Sequence, residues 1–254
     1  MSDWQSIKIL IKNKPFVFLT LAITTLFFVI SGVQIWATFY FINALNIDNA
    51  HANYYFVLVA FTSPVSGAFL SGWVISWLGG FYAPSALPFC LTIGTLGIGC
   101  AWLVPFSDSW ELVMVYLWVL LFCGAMVLPI CTGVGLTKVE PEMRPRANSI
   151  ANFSYNLLGW FPGPSVYGFA VWLHGKPNSG WGMGALMMAS TFMAVFVLLA
   201  AIADPNVGWH NAFKRLKHGE KGESEKALSE HPEDFESAKD DKENMHAVDL
   251  QQSH

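Results

Sequence analysis

The sequence predicts an all-α membrane protein, six transmembrane helices followed by a disordered acidic tail, and three observations carry that expectation. The chain of 254 residues is 54% apolar and only 13% charged, against roughly 25% charged in soluble domains. The charges are also uneven: seven Lys/Arg and twelve Asp/Glu stand from Asp204 onward, leaving seven and six for everything before. Finally, six apolar runs each approach or exceed the roughly 20 residues that a helix needs to cross a hydrocarbon core. A chain so poor in charge cannot cover a water-facing surface, and the bilayer is the solvent that suits its first 203 positions.

Residues 1–15 form a lead-in that mixes Trp4, Ile7, Ile9, Leu10 and Ile11 with Lys8, Lys12 and Lys14. It reads either as a short interfacial helix, with Trp at the headgroups and Lys toward the phosphates, or as a plain charged lead-in. The first span, 16–41, is too long for a signal sequence, and no small-residue cleavage site follows it. Asn46, Asp48 and Asn49 close it. The second span, 54–78, ends at Gly79-Gly80, and the third, 84–104, at Pro105, Ser107 and Asp108. The fourth, 110–136, is closed by the stretch from Lys138 to Arg146. The fifth, 149–173, is closed by Gly175, Lys176, Pro177 and Asn178, and the sixth, 183–203, by Asp204-Pro205. Residues 16–203 thus make a six-helix transmembrane bundle. The tail, 204–254, is too rich in Glu, Asp, Lys, Ser and His to fold alone. Only its first part, Trp209 to Leu216, is apolar enough to lie along a membrane surface.

Orientation follows from Lys/Arg placement in short loops. With the N-terminus in the cytoplasm, Lys8, Lys12, Lys14, Lys138, Arg144, Arg146, Lys214, Arg215 and Lys217 all lie inside and Lys176 alone lies outside. Both termini are therefore expected to be cytoplasmic.

In lipid, helices associate through close packing and interhelical hydrogen bonds. Ser63, Gly67 and Ser71 recur at steps of four in the second span, as do Gly72, Ser76 and Gly80. Gly94, Gly97 and Gly99 give the third span a small face, and Gly124, Gly133 and Gly135 the fourth. Pro64, Pro88, Pro129, Pro162 and Pro164 bend their spans, and the run from Gly159 to Pro164 is the kind of kink found in proteins that rock or gate.

The spans hold no clearly buried Asp, Glu, Lys or Arg; Glu111 and His174 sit at span edges. Intramembrane ionisable groups are the usual marks of ion pathways, so no proton-coupling carboxylate is evident. The uncharged polar residues are patterned instead. Thr20, Thr24, Ser31, Gln34 and Thr38 share one face of the first span. Asn152 and Asn156 stand four apart on the fifth, with Tyr155 between them and Gly159 continuing the row. Amides in hydrocarbon are costly unless partnered. They mark either a water-lined cavity that holds a solute or interhelical hydrogen bonds. For Gln34, Trp36 and Tyr40 the cavity reading is favoured, and for Asn152 and Asn156 both stand. The candidate substrate-binding residues are Gln34, Trp36, Tyr40, Asn152, Tyr155 and Asn156.

No phosphate loop, dinucleotide fingerprint or zinc-protease motif occurs, and no enzymatic role or cofactor is expected. No basic patch suits nucleic acid. Cys90, Cys100, Cys123 and Cys131 lie in apolar runs without metal-ligand spacing and read as small core residues.

The order of these features resembles a known family. The stretch from Ile9 to Phe16 precedes Ser31–Tyr40, and Ser71–Gly80 follows. Then come Pro141–Ser149, the segment from Asn156 to Gly159, and Gly163-Pro164. Over about residues 4–203 the chain resembles the second six-helix half of the major facilitator superfamily, and within it the Spinster-like lipid transporters. Ser76 and Phe81 stand where that superfamily's loop motif often carries charges, whereas the Arg144/Arg146 loop matches better. The resemblance implies two six-helix halves with substrate held between them. The missing N-terminal half would belong to a longer chain or to a separate one. It also implies alternating-access transport of a small organic or amphipathic solute such as a lysolipid or sphingolipid. A non-transporting relative acting as a membrane binding or regulatory protein is the alternative. A channel built by oligomerisation finds no charged ring or filter-like loop.

Overall fold

The computed structural model describes residues 3–175 and 180–207. Lys176 and the tail from 208 onward, including the Trp209–Leu216 stretch, lie outside the described residues. Among those described there is no strand. Five helical segments are long and apolar enough to cross a membrane: Lys14–Asn43, Asn49–Trp77, Ala86–Phe106, Trp110–Thr137 and Trp181–Ala203. Several such helices in one chain suggest a multi-pass membrane protein.

The lead-in is helical as α1 (Asp3–Lys12) and turns sharply into α2 (Lys14–Asn43). Asn13 makes that turn. Its side-chain oxygen accepts from the Phe16 N–H at 3.3 Å, which caps α2, and its amide donates to the Lys138 carbonyl at 2.6 Å. Pro15 in the first turn needs no donor there. At 1.5 Å per residue α2 runs roughly 45 Å, and it packs against α5, α7 and α9 at the centre of the bundle.

Asp48 caps α3 (Asn49–Trp77) by accepting from the Ala50 N–H at 3.1 Å. That bond, with a second from His51, holds the Asp48 carboxyl below its ordinary range. Along α3 a single row, Ala52, Phe56, Val59, Ser63, Gly67, Ser71 and Ile75, is buried, and α5 covers it. Ser71 Oγ donates across to the Met126 carbonyl at 2.8 Å, the interhelical bond that small-residue spacing permits. Gly79 and Gly80, at φ +97° and +88°, end the helix in a conformation other residues resist.

The third span is α4 (Ala86–Leu103) continued by a 3₁₀ turn, Val104–Phe106, where Pro105 tightens the last turn. The next is α5 (Trp110–Thr137). The expected fifth span is not one regular helix. It consists of α6 (Arg144–Tyr155), a π turn (Asn156–Trp160) and α7 (Pro162–His174). Arg144, Arg146, Asn148, Asn152 and Asn156 keep its first half too polar to count as an apolar span, and Pro162 removes the donor that an unbroken helix needs. The last span is α8 (Trp181–Ala189) and α9 (Thr191–Ala203), joined at Ser190.

Asp204, where the sequence marks the start of the tail, belongs to the bundle. Its carboxylate pairs with Lys138 Nζ at 2.6 Å, with the side chains only 2% and 12% exposed respectively. The pair ties the ends of α5 and α9 together beside Asn13. Close by, Leu10, Phe16, Val139, Met143, Ala147 and Ala151 form a small core. Arg146 donates to Ser6 Oγ at 2.7 Å and Arg144 to the Tyr82 hydroxyl at 3.0 Å.

Helices α2 and α7 cross with backbones in contact. A Cβ on Gly163 would run into the Phe28 carbonyl oxygen and the Ser31 hydroxyl, whereas one on Gly72 would meet no atom within 4 Å. Gly163→Ala should therefore lower stability by about 1–3 kcal/mol, the usual cost of overpacking. Gly72→Ala should be neutral or slightly stabilising. Thermal unfolding of both variants in one detergent measures the difference; equal midpoints would remove the close crossing.

Candidate functional site

The polar face expected on α2 is divided by the structure. Thr20 Oγ1 donates to the Phe16 carbonyl at 2.9 Å, Thr24 Oγ1 to the Thr20 carbonyl at 2.8 Å, and Ser31 Oγ to the Phe28 carbonyl at 3.1 Å. All three are buried. These hydroxyls satisfy themselves on their own helix and offer nothing to a solute. Gln34 differs: it is exposed although α2 is the most buried of the apolar helices. Two residues on, the Trp36 indole N–H donates to the Pro164 carbonyl at 2.9 Å. Its ring stacks on Tyr167 with centroids 4.6 Å apart and 12° between planes. Tyr40 is buried in the main core, 3% exposed, with its hydroxyl 3.4 Å from the Val104 carbonyl.

Facing α2 is the broken helix. Gly159 lies against the Thr24 carbonyl and Phe28, and Gly163 against Phe28 and Ser31. The two elements therefore run in the same direction, with Asn156 near the level of Thr24 and Gln34 roughly 15 Å further along, at 1.5 Å per residue. The candidate residues form two groups at different depths rather than one cluster. In the lower group Asn156 donates to the Asn152 carbonyl at 2.8 Å, and Asn152 to the Asn148 carbonyl at 2.8 Å. These are bonds along one helix, not between helices. Each uses one of the two N–H donors of its amide and leaves the amide oxygen as an acceptor. Asn156 is exposed and Asn152 partly so. Tyr155 turns the other way and stacks on Phe27 at 4.5 Å and 12°. Asn156 also opens the π turn, and its carbonyl accepts from the Phe161 N–H at 3.3 Å. Such turns are frequent at functional sites.

Three residues that the sequence reading did not single out complete this seam: Phe27, Trp160 and Tyr167. Phe27 stands between Tyr155 and Trp160. Tyr167 is wholly buried, and its hydroxyl has no hydrogen-bond partner. The row Gly159, Gly163, Tyr167 at steps of four is a signal that could have pointed to it. Among the described residues no group of His, Cys, Asp and Glu could hold a metal ion. In the five long apolar helical segments, charged side chains stand only near the ends, as with Lys14 at the start of α2 and Glu111 in the first turn of α5.

Taken together, the arrangement offers uncharged acceptors and aromatic faces beside a backbone irregularity. Neither a protein-family model nor a curated protein matches the chain.

Proposed function

We propose that this chain is the solute-binding half of a major-facilitator-type transporter, with both termini cytoplasmic and a second six-helix half covering its polar face. The observation that carries the reading is the exposure of amides, Gln34 on α2 and Asn156 at the π turn, in an otherwise apolar bundle. In hydrocarbon such groups demand water, a solute or a partner. The broken helix supports it, because backbone irregularity at membrane depth is tolerated where it lines a cavity or is covered by protein. Aromatic walls with a few uncharged hydrogen-bonding groups suit an amphipathic solute, and a lysolipid or sphingolipid is the class that the Spinster-like resemblance suggests. With no charged group beside Gln34 or Asn156 among the described residues, ion coupling would reside in the second half or be absent.

The test is initial uptake of a fluorescent lysolipid and a fluorescent sphingoid by cells expressing the chain joined to the six-helix half proposed to cover it, normalised to surface protein. Gln34→Ala and Asn156→Ala should each lower uptake several-fold at unchanged expression. Unaltered kinetics in both, for every solute that the parent protein moves, would remove these amides from the site.

A further inference from the structure

Two small cavities within the bundle have contrasting linings. One, between α2, α5 and α6, gives the centre of a water molecule about 20 Å³ to move in. Four of its lining residues carry a hydroxyl or an amide: Thr20 on α2, Thr132 on α5, and Asn148 and Tyr155 on α6. Thr20 Oγ1 donates to the Phe16 carbonyl at 2.9 Å and Thr132 Oγ1 to the Leu128 carbonyl at 2.8 Å. Each of these oxygens keeps lone pairs for a further donor, and the side chains of Asn148 and Tyr155 can both donate. The other cavity, between α2, α4, α5 and α9, is slightly larger at about 30 Å³. Its hydroxyls, on Thr25 and Ser190, commit their protons to the Leu21 and Met187 carbonyls. Aliphatic side chains such as Leu26 make up most of the rest.

We infer that the cavity between α2, α5 and α6 holds an ordered water that joins the three helices, and that the larger cavity stays dry. Size selects the ligand: the space suits about one water, whose share of liquid volume is roughly 30 Å³, and no organic solute. Polarity separates the two cavities, because a buried water needs roughly 2–4 hydrogen-bond partners. Thr20 and Thr132 accept its two protons while Asn148 or Tyr155 donates to its oxygen. In the larger cavity a water would meet acceptors and, as donor, only the weak Cys123 thiol. The bridge has a place in the fold. Asn152 and Asn156 bond back along their own helix and do not tie α6 to its neighbours. Of α6 only Ala147 and Ala151 are fully buried, so apolar packing alone holds it weakly. The water supplies a polar link to α2 and α5 one helical turn from Asn152.

Hydroxyl-radical footprinting with a synchrotron beam tests this on the purified full-length protein, because radicals made from a bound water oxidise the side chains around it. Leu19 and Leu26 form a matched pair. Leu19 lines the polar cavity and is 1% exposed, whereas Leu26 lines the apolar one and is 6% exposed. Exposure alone favours Leu26; the bound water makes Leu19 react at least threefold faster. Thr132→Val and Tyr155→Phe each remove one polar partner with little change of shape. Each should lower the Leu19 rate at least twofold and leave Leu26 unaltered. A Leu19 rate less than threefold above that of Leu26 in the parent protein would overturn the inference. So would a fast Leu19 rate that neither variant lowers. Solute uptake does not enter this readout, so the bound water and the proposed function fail separately.

Discussion

Replacing Lys138 with Met should cost about 3–5 kcal/mol of stability, the price of leaving a buried charge uncompensated. Asp204 is only 2% exposed, so its carboxylate cannot turn to water when the ammonium is removed. The effect should spread, because Lys138 ends α5 and its carbonyl also accepts from Asn13 at the turn between α1 and α2. Asp204→Asn should lose less, since an amide keeps some hydrogen bonding and carries no charge. The double variant Lys138→Met with Asp204→Leu should recover most of the loss, as apolar replacements of buried ion pairs often do. Unfolding of the parent protein, Lys138→Met, Asp204→Leu and the double variant in one detergent forms a double-mutant cycle. A single-variant loss under about 1 kcal/mol would make the pair an ordinary surface bridge.

Trp36→Ala should cost about 3 kcal/mol, near the lower bound for truncating a packed aromatic to alanine. It removes the stack on Tyr167 and the bond to the Pro164 carbonyl, both of which join α2 to α7. Trp36→Phe should keep the stack and lose only the hydrogen bond, about 1 kcal/mol. Tyr167→Phe should go the other way, neutral or stabilising by about 1 kcal/mol, because its buried hydroxyl has no partner. The same unfolding series decides both. A neutral Trp36→Ala would show that the stack holds nothing together, and a costly Tyr167→Phe would show that the hydroxyl is bonded to water or solute. Reduced uptake in Trp36→Ala would therefore mix folding with binding, and Gln34→Ala separates them.

Much of the architecture is legible in the residues. Gly79-Gly80, Pro105 and Gly175 mark real helix ends, and the Ser63–Gly67–Ser71 row lies along the α3–α5 contact. Other features are hidden for physical reasons. Helical periodicity places Thr20, Thr24 and Ser31 on one face with Gln34, but it cannot tell whether a hydroxyl bonds back to its own helix. An aspartate at a helix end reads as loop charge, and only folding brings Lys138 from 66 positions away to Asp204. The π turn leaves no period of its own. Pro162 signals a break without saying that Gly159 and Gly163 would seat it against α2. Tyr40 has the composition of a cavity wall, yet its place beside Val104 is set by how the helix ends close over it.

On the proposed function, Gln34 and Asn156 face water or solute rather than lipid. Cysteine accessibility tests it most directly. Cys90, Cys123 and Cys131 are buried and Cys100 is partly exposed, so Cys100→Ser gives a quiet background. Single Gln34→Cys and Asn156→Cys variants are treated in cells with a small charged methanethiosulfonate. Leu96→Cys and Val195→Cys, at exposed apolar positions on α4 and α9, serve as lipid-facing controls. Reaction at both amide positions at least tenfold faster than at the controls, slowed by a transported lysolipid, is the result expected; rates at Gln34→Cys and Asn156→Cys no faster than at the controls would contradict the account.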